Sequence, residues 1–381
     1  MDTIIEDAVH QQDLGYEYEK AHENPEEKKS YTTDDELRRY LKKDIATIKV
    51  IGVGGGGNNT INRISEVGIF GTETIAINTD AQDLLYTTAD KKILIGKETC
   101  NGLGAGSNPK KGEEAAKEQA SEIKRHIKGA DMVFITCGLG GGSGTGATPV
   151  VADIAKKSGC LVVAIVTMPF TMEGKKRTDN AMQGLEKLES IVDTIIIIQN
   201  DKLLQLAPDL PLQTAFKVAD EILMQGVKGV AEMITRIGLV NLDLADIKTV
   251  MSNGGLSLIG VGESDSDKKA AEAIEKAIKN PLLDVDITGA SGALISVAGG
   301  PDMVLDEARQ IVEEISKRLH EDATIIWGAQ VSDDLKNIVK VMIIVTGVRS
   351  ADIFGIEDFE DRLAVRKKGS GLDNELGIEF I

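Results

Sequence analysis

Two glycine runs, each caught between an apolar segment and a helical pattern, constrain this chain of 381 residues more than anything else in it. The first is Gly52-Val-Gly-Gly-Gly-Gly-Asn-Asn59, directly after the apolar stretch 46–51. Gly52, Gly54 and Gly57 satisfy G-x-G-x-x-G, and Asp80 follows at the end of the next expected strand. In a strand-turn-helix context this spacing lets backbone approach a phosphate, with the acid placed for a ribose. The plainer alternative is a turn that only packs a helix on a strand. The second run is Gly138-Leu-Gly-Gly-Gly-Ser-Gly-Thr-Gly146. Here Gly140, Gly141, Gly142, Gly144 and Gly146 lack a Cβ, so successive N–H groups can turn inward around an anion. Ser143 and Thr145 add hydroxyls, and the helix that follows supplies its positive end. A dinucleotide dehydrogenase has no use for a second loop of this kind; a nucleotide with two or three phosphates does. No G-x-x-x-x-G-K-[ST] occurs, so backbone dipoles rather than a loop lysine would hold those phosphates.

Around these loops the periodicity predicts strands at 47–52, 73–78, 92–95, 131–137, 160–167 and 193–198. Helices are expected at 57–67, 110–127, 147–158 and 174–191. Such alternation implies a mainly parallel, Rossmann-like α/β sheet wrapped by helices. Met132-Val-Phe-Ile-Thr136 and Leu161-Val-Val-Ala-Ile-Val166 are nearly all apolar, as strands buried on both faces are. A long helix over 212–236 follows, with Phe216, Ala219, Ile222, Leu223 and Val227 at helical spacing and Gly226 and Gly229 as weak points. Strands at 255–262, 292–298, 323–331 and 338–346 with helices at 266–279 and 302–319 make a second, smaller α+β domain.

The formal charge of −18 disfavours nucleic acid and direct binding to anionic lipid. Aromatics at 3% leave little for a base-stacking surface of the nucleic-acid kind. Cys100, Cys137 and Cys160 form no CxxC pair and read as reduced thiols of a cytosolic protein. No apolar run approaches the ~18 residues of a membrane span. The acidic start Met-Asp-Thr-Ile-Ile-Glu-Asp is unlike a signal peptide. Residues 1–44 hold 13 acidic and 7 basic side chains and read as a flexible arm with a short helix at 34–43.

Gly140-Gly-Gly-Ser-Gly-Thr-Gly146 resembles the GGG[TS]GTG signature of the FtsZ/tubulin family, which is highly specific. Gly52–Asn59, Asn78-Thr-Asp-Ala-Gln82, Gly102-Leu-Gly-Ala-Gly-Ser-Asn-Pro109, Pro169-Phe170, Glu173-Gly-Lys-Lys-Arg177, Asn200-Asp-Lys-Leu203 and Asn241-Leu-Asp-Leu-Ala-Asp246 also resemble it. The likeness spans about residues 46–347, leaving out the arm and the tail. It implies a polymerising GTPase of cell division, cytoplasmic and at the division site, binding GTP or GDP with Mg²⁺ held mainly through phosphates and water.

The resemblance also assigns residues. Gly54, Gly55, Gly56, Gly57, Gly104, Gly106 and Gly140–Gly146 would line the phosphates, with Asp80 in the same nucleotide site. Asp220 would face guanine, assisted by Asn200 and Asn58 or Asn59, with Phe216 stacked on the base. Spacing alone favours Phe216 as a core residue and Asp220 as a solvated helix face; the resemblance reverses that. Glu173 and Arg177 would touch ribose and phosphate; otherwise they are an i,i+4 surface pair. Asp243, Asp246 and Asn241 would act on the γ-phosphate of a neighbouring subunit; otherwise the two acids cap a helix.

The implied organisation is an arm at 1–44, a GTP-binding domain at 45–210, a central helix at 211–237, an acidic loop with its helix at 238–253, an α+β domain at 254–347 and a tail at 348–381. Residues 376–381, a short apolar peptide, would dock a membrane-tethering adaptor. The implied partners are therefore further copies of the chain and that adaptor. Two other readings compete: an NAD-dependent oxidoreductase, carried only by Gly52–Gly57 with Asp80, and a non-hydrolysing tubulin-like scaffold, which the presence of both Asp243 and Asp246 opposes.

Overall fold

Strands with both faces apolar can only sit in the middle of a layered structure, and here they build one continuous sheet. The computed structural model describes residues 46–202, 212–236, 238–240, 242–252, 254–283, 287 and 290–348. The expected arm, its helix at 34–43, the tail peptide and Asn241 lie outside the described residues.

The elements run β1 (Ile48–Val53), α1 (Gly54–Val67), β2 (Thr72–Asn78), α2 (Ala81–Tyr86), β3 (Lys91–Leu94), α3 (Pro109–Glu118), α4 (Ala120–Ile127), β4 (Met132–Gly138), α5 (Ser143–Lys157), β5 (Leu161–Met168), α6 (Lys175–Glu189) and β6 (Thr194–Gln199). Then come α7 (Leu212–Thr235), α8 (Leu244–Met251), β7 (Gly255–Ser264), α9 (Lys269–Ile278), β8 (Gly292–Gly299), α10 (Leu305–Ser316), β9 (Thr324–Val331) and β10 (Val339–Thr346).

The sheet order is β3-β2-β1-β4-β5-β6-β7-β10-β8-β9. Pairing is parallel from β3 through β7, antiparallel at β7–β10 and β10–β8, and parallel again at β8–β9. The order of the first six strands is that of a doubly wound α/β fold. Its strand order reverses between β1 and β4, where ligands of such sheets bind, outside the carboxyl ends of the strands. Both glycine runs lie there, one passing from Gly52 in β1 into α1 at Gly54 and one starting at Gly138, which ends β4.

Alternate strand residues feed two cores. Ile51, Val53, Val133 and Ile135 meet α3 to α6, while Ile48, Val50, Phe134 and Ile165 meet α1 and α7. On α9, Ala270, Ala273, Ile274 and Ala277 form the buried stripe that a helix lying on a sheet requires. At the β3 edge, Lys91 and Lys92 are exposed, as suits a strand that must not recruit another. Cys100, Cys137 and Cys160 are buried free thiols.

Three expectations change. The helices after both glycine runs begin earlier than expected, at Gly54 and Ser143 instead of 57 and 147. Low helix propensity made those residues look like loop, yet the sheet fixes them as first turns. The helix expected at 110–127 is two helices broken at Gln119 (φ −100°, ψ 19°), whose Oε1 accepts a hydrogen bond from Gly96 N–H at 2.5 Å. Lastly, Gly226 and Gly229 are not weak points of α7. They are where it presses on the sheet: a Cβ at Gly226 would stand 3.3 Å from Ile259, and one at Gly229 would overlap the Met342 methyl.

Candidate functional site

The two glycine runs touch backbone to backbone. A Cβ on Gly54 (φ +70°) would stand 2.7 Å from Gly144 N, and one on Gly144 would stand 2.7 Å from Gly138 O. The hydroxyls of Thr79 and Ser143, 2.5 Å apart, tie the end of β2 to the second run. Gly142 packs against Ala105 and Asn108 N, so the Gly102–Asn108 segment joins the cluster. Asn180 on α6 bridges the same two segments, donating to Ser107 O at 3.4 Å and Gly140 O at 3.3 Å.

Other glycines face open space. A Cβ would meet nothing within 4 Å at Gly141 or Gly106, and nothing nearer than 3.8 Å at Gly55 or Gly104. Close packing and open approach are thus divided between neighbouring residues of one loop. Gly144→Ala is expected to destabilise the fold by about 1–3 kcal/mol through overpacking. Gly141→Ala should leave the denaturation midpoint unchanged while weakening GTP binding about tenfold, the worth of one misplaced contact. Unchanged binding by Gly141→Ala in a titration would show that this face is not the cradle.

The helix ends suit the cluster to an anion. The N-termini of α1 and α5 carry no side-chain cap and no acid in the first turn. Asp80 caps α2, Asn108 caps α3 and Asp243 caps α8, while α4, α6 and α9 also lack a side-chain cap; what sets α1 and α5 apart is that their first turns are built from the glycine runs themselves. Two neighbouring helix starts therefore keep their unpaired N–H groups and positive dipole ends for something outside the protein.

Each expected residue has a definite place. Asp80 spends Oδ1 on the N–H groups of Gln82 and Asp83, at 2.9 and 3.1 Å, so it acts first as a helix cap. Its Oδ2 lies on the Gly104 side, 3.8 Å from where a Cβ there would stand. Thr145 is buried and its Oγ accepts from Gly140 N–H at 2.8 Å, which makes it a brace within the loop. Asn58 is fully buried and Asn59 exposed, which separates the two. Asn58 Nδ2 donates to Asp83 Oδ2 at 3.3 Å, and its Oδ1 has no partner. Asn200, 5% exposed, also has a buried Oδ1 without a partner. A buried acceptor left unpaired is costly, and a ligand carrying N–H or O–H donors removes that cost.

Phe216 is not a core residue. It is 40% exposed and sets its ring edge-on to the buried Phe170, centroids 5.1 Å apart. One turn on, burial pushes the Asp220 carboxyl up to about 7. Glu173 and Arg177 form the i,i+4 pair, and Glu173 Oε1 also accepts from Phe170 N–H at 2.9 Å.

Asp243 and Asp246 form a capping box at the start of α8: Asp243 Oδ1 accepts from Asp246 N–H at 2.8 Å, and Asp246 Oδ2 from Asp243 N–H at 3.3 Å. Each carboxylate keeps one oxygen outside that pair of bonds. These acids are not beside the glycine loops. α7 carries the chain about 35 Å at ~1.5 Å per residue. Its far end, Thr235, packs on Gly71, just before β2 and so at the amino ends of the parallel strands. The glycine loops lie at the carboxyl ends.

Two supporting residues, Asp83 and Asn180, escaped the sequence reading, and Thr79 stood in a quoted motif without a role. Asp83 Oδ2 takes the amides of both Asn58 and Asn78, the latter at 2.5 Å. With Thr79 and Asn180, it holds the loops through tertiary contacts that leave no local pattern. Among the described residues, no cluster of three or more His, Cys, Asp or Glu is placed to hold a metal ion, and no helix is long and apolar enough to cross a membrane.

A doubly wound sheet with two uncapped helix starts at its switch point defines a nucleotide-binding α/β protein. Residues 47–208 match the model of the Tubulin/FtsZ family GTPase domain, and residues 255–349 that of the FtsZ family C-terminal domain. "Cell division protein FtsZ 1" of Methanocaldococcus jannaschii is 59% identical over 83% of this chain and 87% of its own length. "Cell division protein FtsZ" of Methanothermobacter thermautotrophicus is 51% identical over 91% and 92%. A solved structure titled as an empty FtsZ dimer of M. jannaschii superposes with a TM-score of 0.80 at 58% identity, covering 84% of this chain and 94% of that one. The chain belongs to the Tubulin/FtsZ family, and it is a guanine-nucleotide-binding GTPase of the cell-division type. The oxidoreductase and non-hydrolysing scaffold readings find no support in these relatives.

Proposed function

We propose that this GTPase assembles head to tail, each subunit presenting Asp243 and Asp246 to the nucleotide held by the glycine loops of the next. The observation that carries this reading is the placement of cradle and acid pair at opposite ends of the parallel strands. One subunit cannot bring them together, and a second copy can. The M. jannaschii relative, whose title names a dimer, supports self-association.

In this reading the N–H groups opening α1 and α5, with Gly104, Gly106 and Gly140–Gly142, hold the phosphates. Asp220, Asn200 and Asn58 take the donors of guanine and ribose, Phe216 covers the base, and Glu173 and Arg177 border the sugar. Mg²⁺ would be held through phosphate oxygens and water, supplying charge neutralisation on the triphosphate. The oxygens of Asp243 and Asp246 outside the two capping bonds, together with Asn241, orient the attacking water and accept its proton. The protein would act in the cytoplasm at the division site as a filament, tethered to the membrane by an adaptor that takes residues 376–381.

The test is phosphate release per subunit as a function of protein concentration. It should be near zero at high dilution and rise steeply through a critical concentration, in step with light scattering. Constant release per subunit down to great dilution would overturn the shared site.

A further inference from the structure

The connection from α7 to α8 is stitched to β9, the strand at the outer edge of the sheet. Val240 and Ala329 exchange backbone hydrogen bonds, N–H of each to O of the other, both at 3.3 Å. Gly238 lies on the same strand: a Cβ there would stand 2.5 Å from Ala329 O and 3.2 Å from Gln330 Cγ. Buried Leu242 covers Gly328, with Cδ1 and Cγ 3.4 Å from where its Cβ would be. Gln330 Nε2 donates to the carbonyl of Glu232, in the last turn of α7, at 3.0 Å. That carbonyl also accepts Arg236 N–H at 2.9 Å, so the negative end of α7 is gripped from β9. Asp243 follows Leu242 directly.

We propose that Gln330, together with the side-chain-free surface of Gly328, is a positioning element for the acid pair: β9 sets where Asp243 and Asp246 stand when a second copy of the chain docks. An edge strand offers unpaired backbone groups, and here they are spent on the loop that must meet a neighbour. The bridge at Val240 alone is a pivot. The Gln330 amide, one step along the strand, adds a second point of attachment to α7, and Leu242 over Gly328 adds a third. Three points fix an orientation where one does not. Placement to within an ångström is what a water-activating carboxylate needs. This inference rests on the reading that Asp243 and Asp246 act on the neighbouring subunit's nucleotide.

The test uses the full chain with Gln330→Met, which keeps the side-chain volume and removes the donor, and Gly328→Val, which pushes on Leu242. Turnover per polymerised subunit is expected to fall about tenfold in each, with GTP affinity unchanged. Each is then mixed with Asp220→Ala, which has an intact acid loop and a poor nucleotide pocket. The mixture should turn over GTP at least about threefold faster than the two separate activities added, because the loop acts across the junction. Asp246→Asn mixed with Asp220→Ala is the reference pair. Full turnover per polymerised subunit in Gln330→Met and Gly328→Val overturns the proposal. So does a loss explained wholly by fewer subunits in polymer, or one that Asp220→Ala fails to repair while it repairs Asp246→Asn. Failure of the reference pair itself would instead sink the shared site, and this inference with it.

Discussion

Asp246→Asn is expected to lower GTP turnover about 10²- to 10³-fold while GTP binding stays within about twofold, the signature of a lost general base. The asparagine is chosen because the capping box is real: Asp243 accepts from Asp246 N–H in the first turn of α8, and Asp246 accepts from the N–H of Asp243. An alanine would remove one of the two bonds of that box and confuse a stability loss with a catalytic one. Asparagine keeps an oxygen that accepts the same N–H and is as good a capping residue, so only the charge and basicity are lost. Asp243→Asn is the matched control for the other carboxylate. Turnover is read by phosphate release at saturating GTP above the assembly threshold, and binding by nucleotide titration of dilute protein. If Asp246→Asn lost GTP affinity in dilute solution, the residue would belong to a pocket of its own subunit. If turnover stayed within about threefold of the unaltered protein, proton transfer to Asp246 would be excluded as a main source of the rate.

The capping box and the catalytic reading were both visible in Asn241–Asp246, and the structure shows why neither displaces the other: a cap uses one oxygen of a carboxylate that has two. The alternation of strands and helices was legible for a similar reason of plain chemistry. β4 and β5 are apolar on both faces because both are covered, so pattern and burial carry one message. The helix starts at Gly54 and Ser143 were harder. Their residues are there to let two backbones pass at contact distance, and glycine's poor propensity hides the helix they open. The break at Gln119 has no glycine or proline to announce it; the Gln119 side chain instead accepts a hydrogen bond from Gly96 N–H, twenty-three residues earlier. Asp83, Thr79 and Asn180 are of the same kind. Each matters through a partner distant in the chain, and only the fold brings the two together. The opposite placement of cradle and acids was foreshadowed by the length of α7, since a helix of 24 residues cannot return to where it began.

Asp220→Asn should abolish useful GTP binding, a loss of about 10²-fold or more, and should at the same time create binding of xanthosine triphosphate. Guanine offers two adjacent donors, N1–H and the 2-amino group, which a carboxylate accepts together. Xanthine offers N1–H beside a carbonyl, which suits a carboxamide that accepts with one atom and donates with the other. The same residue predicts a pH dependence. Burial pushes the Asp220 carboxyl up from 3.8 to about 7. For folding, a raised carboxyl pKa contributes stability that is complete below 3.8 and is lost as pH rises through about 7. For GTP the sign is reversed, because the base needs the ionised form. Affinity should fall about tenfold per pH unit below that value and level off above it, one proton being released on binding. Asp220→Asn has no such proton, so its affinity for xanthosine triphosphate should be flat across that range, up to the point where xanthine itself ionises. Titrations of both nucleotides at pH 6 and at pH 8 separate the possibilities. A GTP affinity that ignores pH in the unaltered chain would mean that guanine does not meet this carboxylate. A pH-dependent affinity that persisted in Asp220→Asn would place the proton on another group of the pocket. Desolvation is the cause of the shift, and a guanine that supplied two donors would make the ionised state worth its cost.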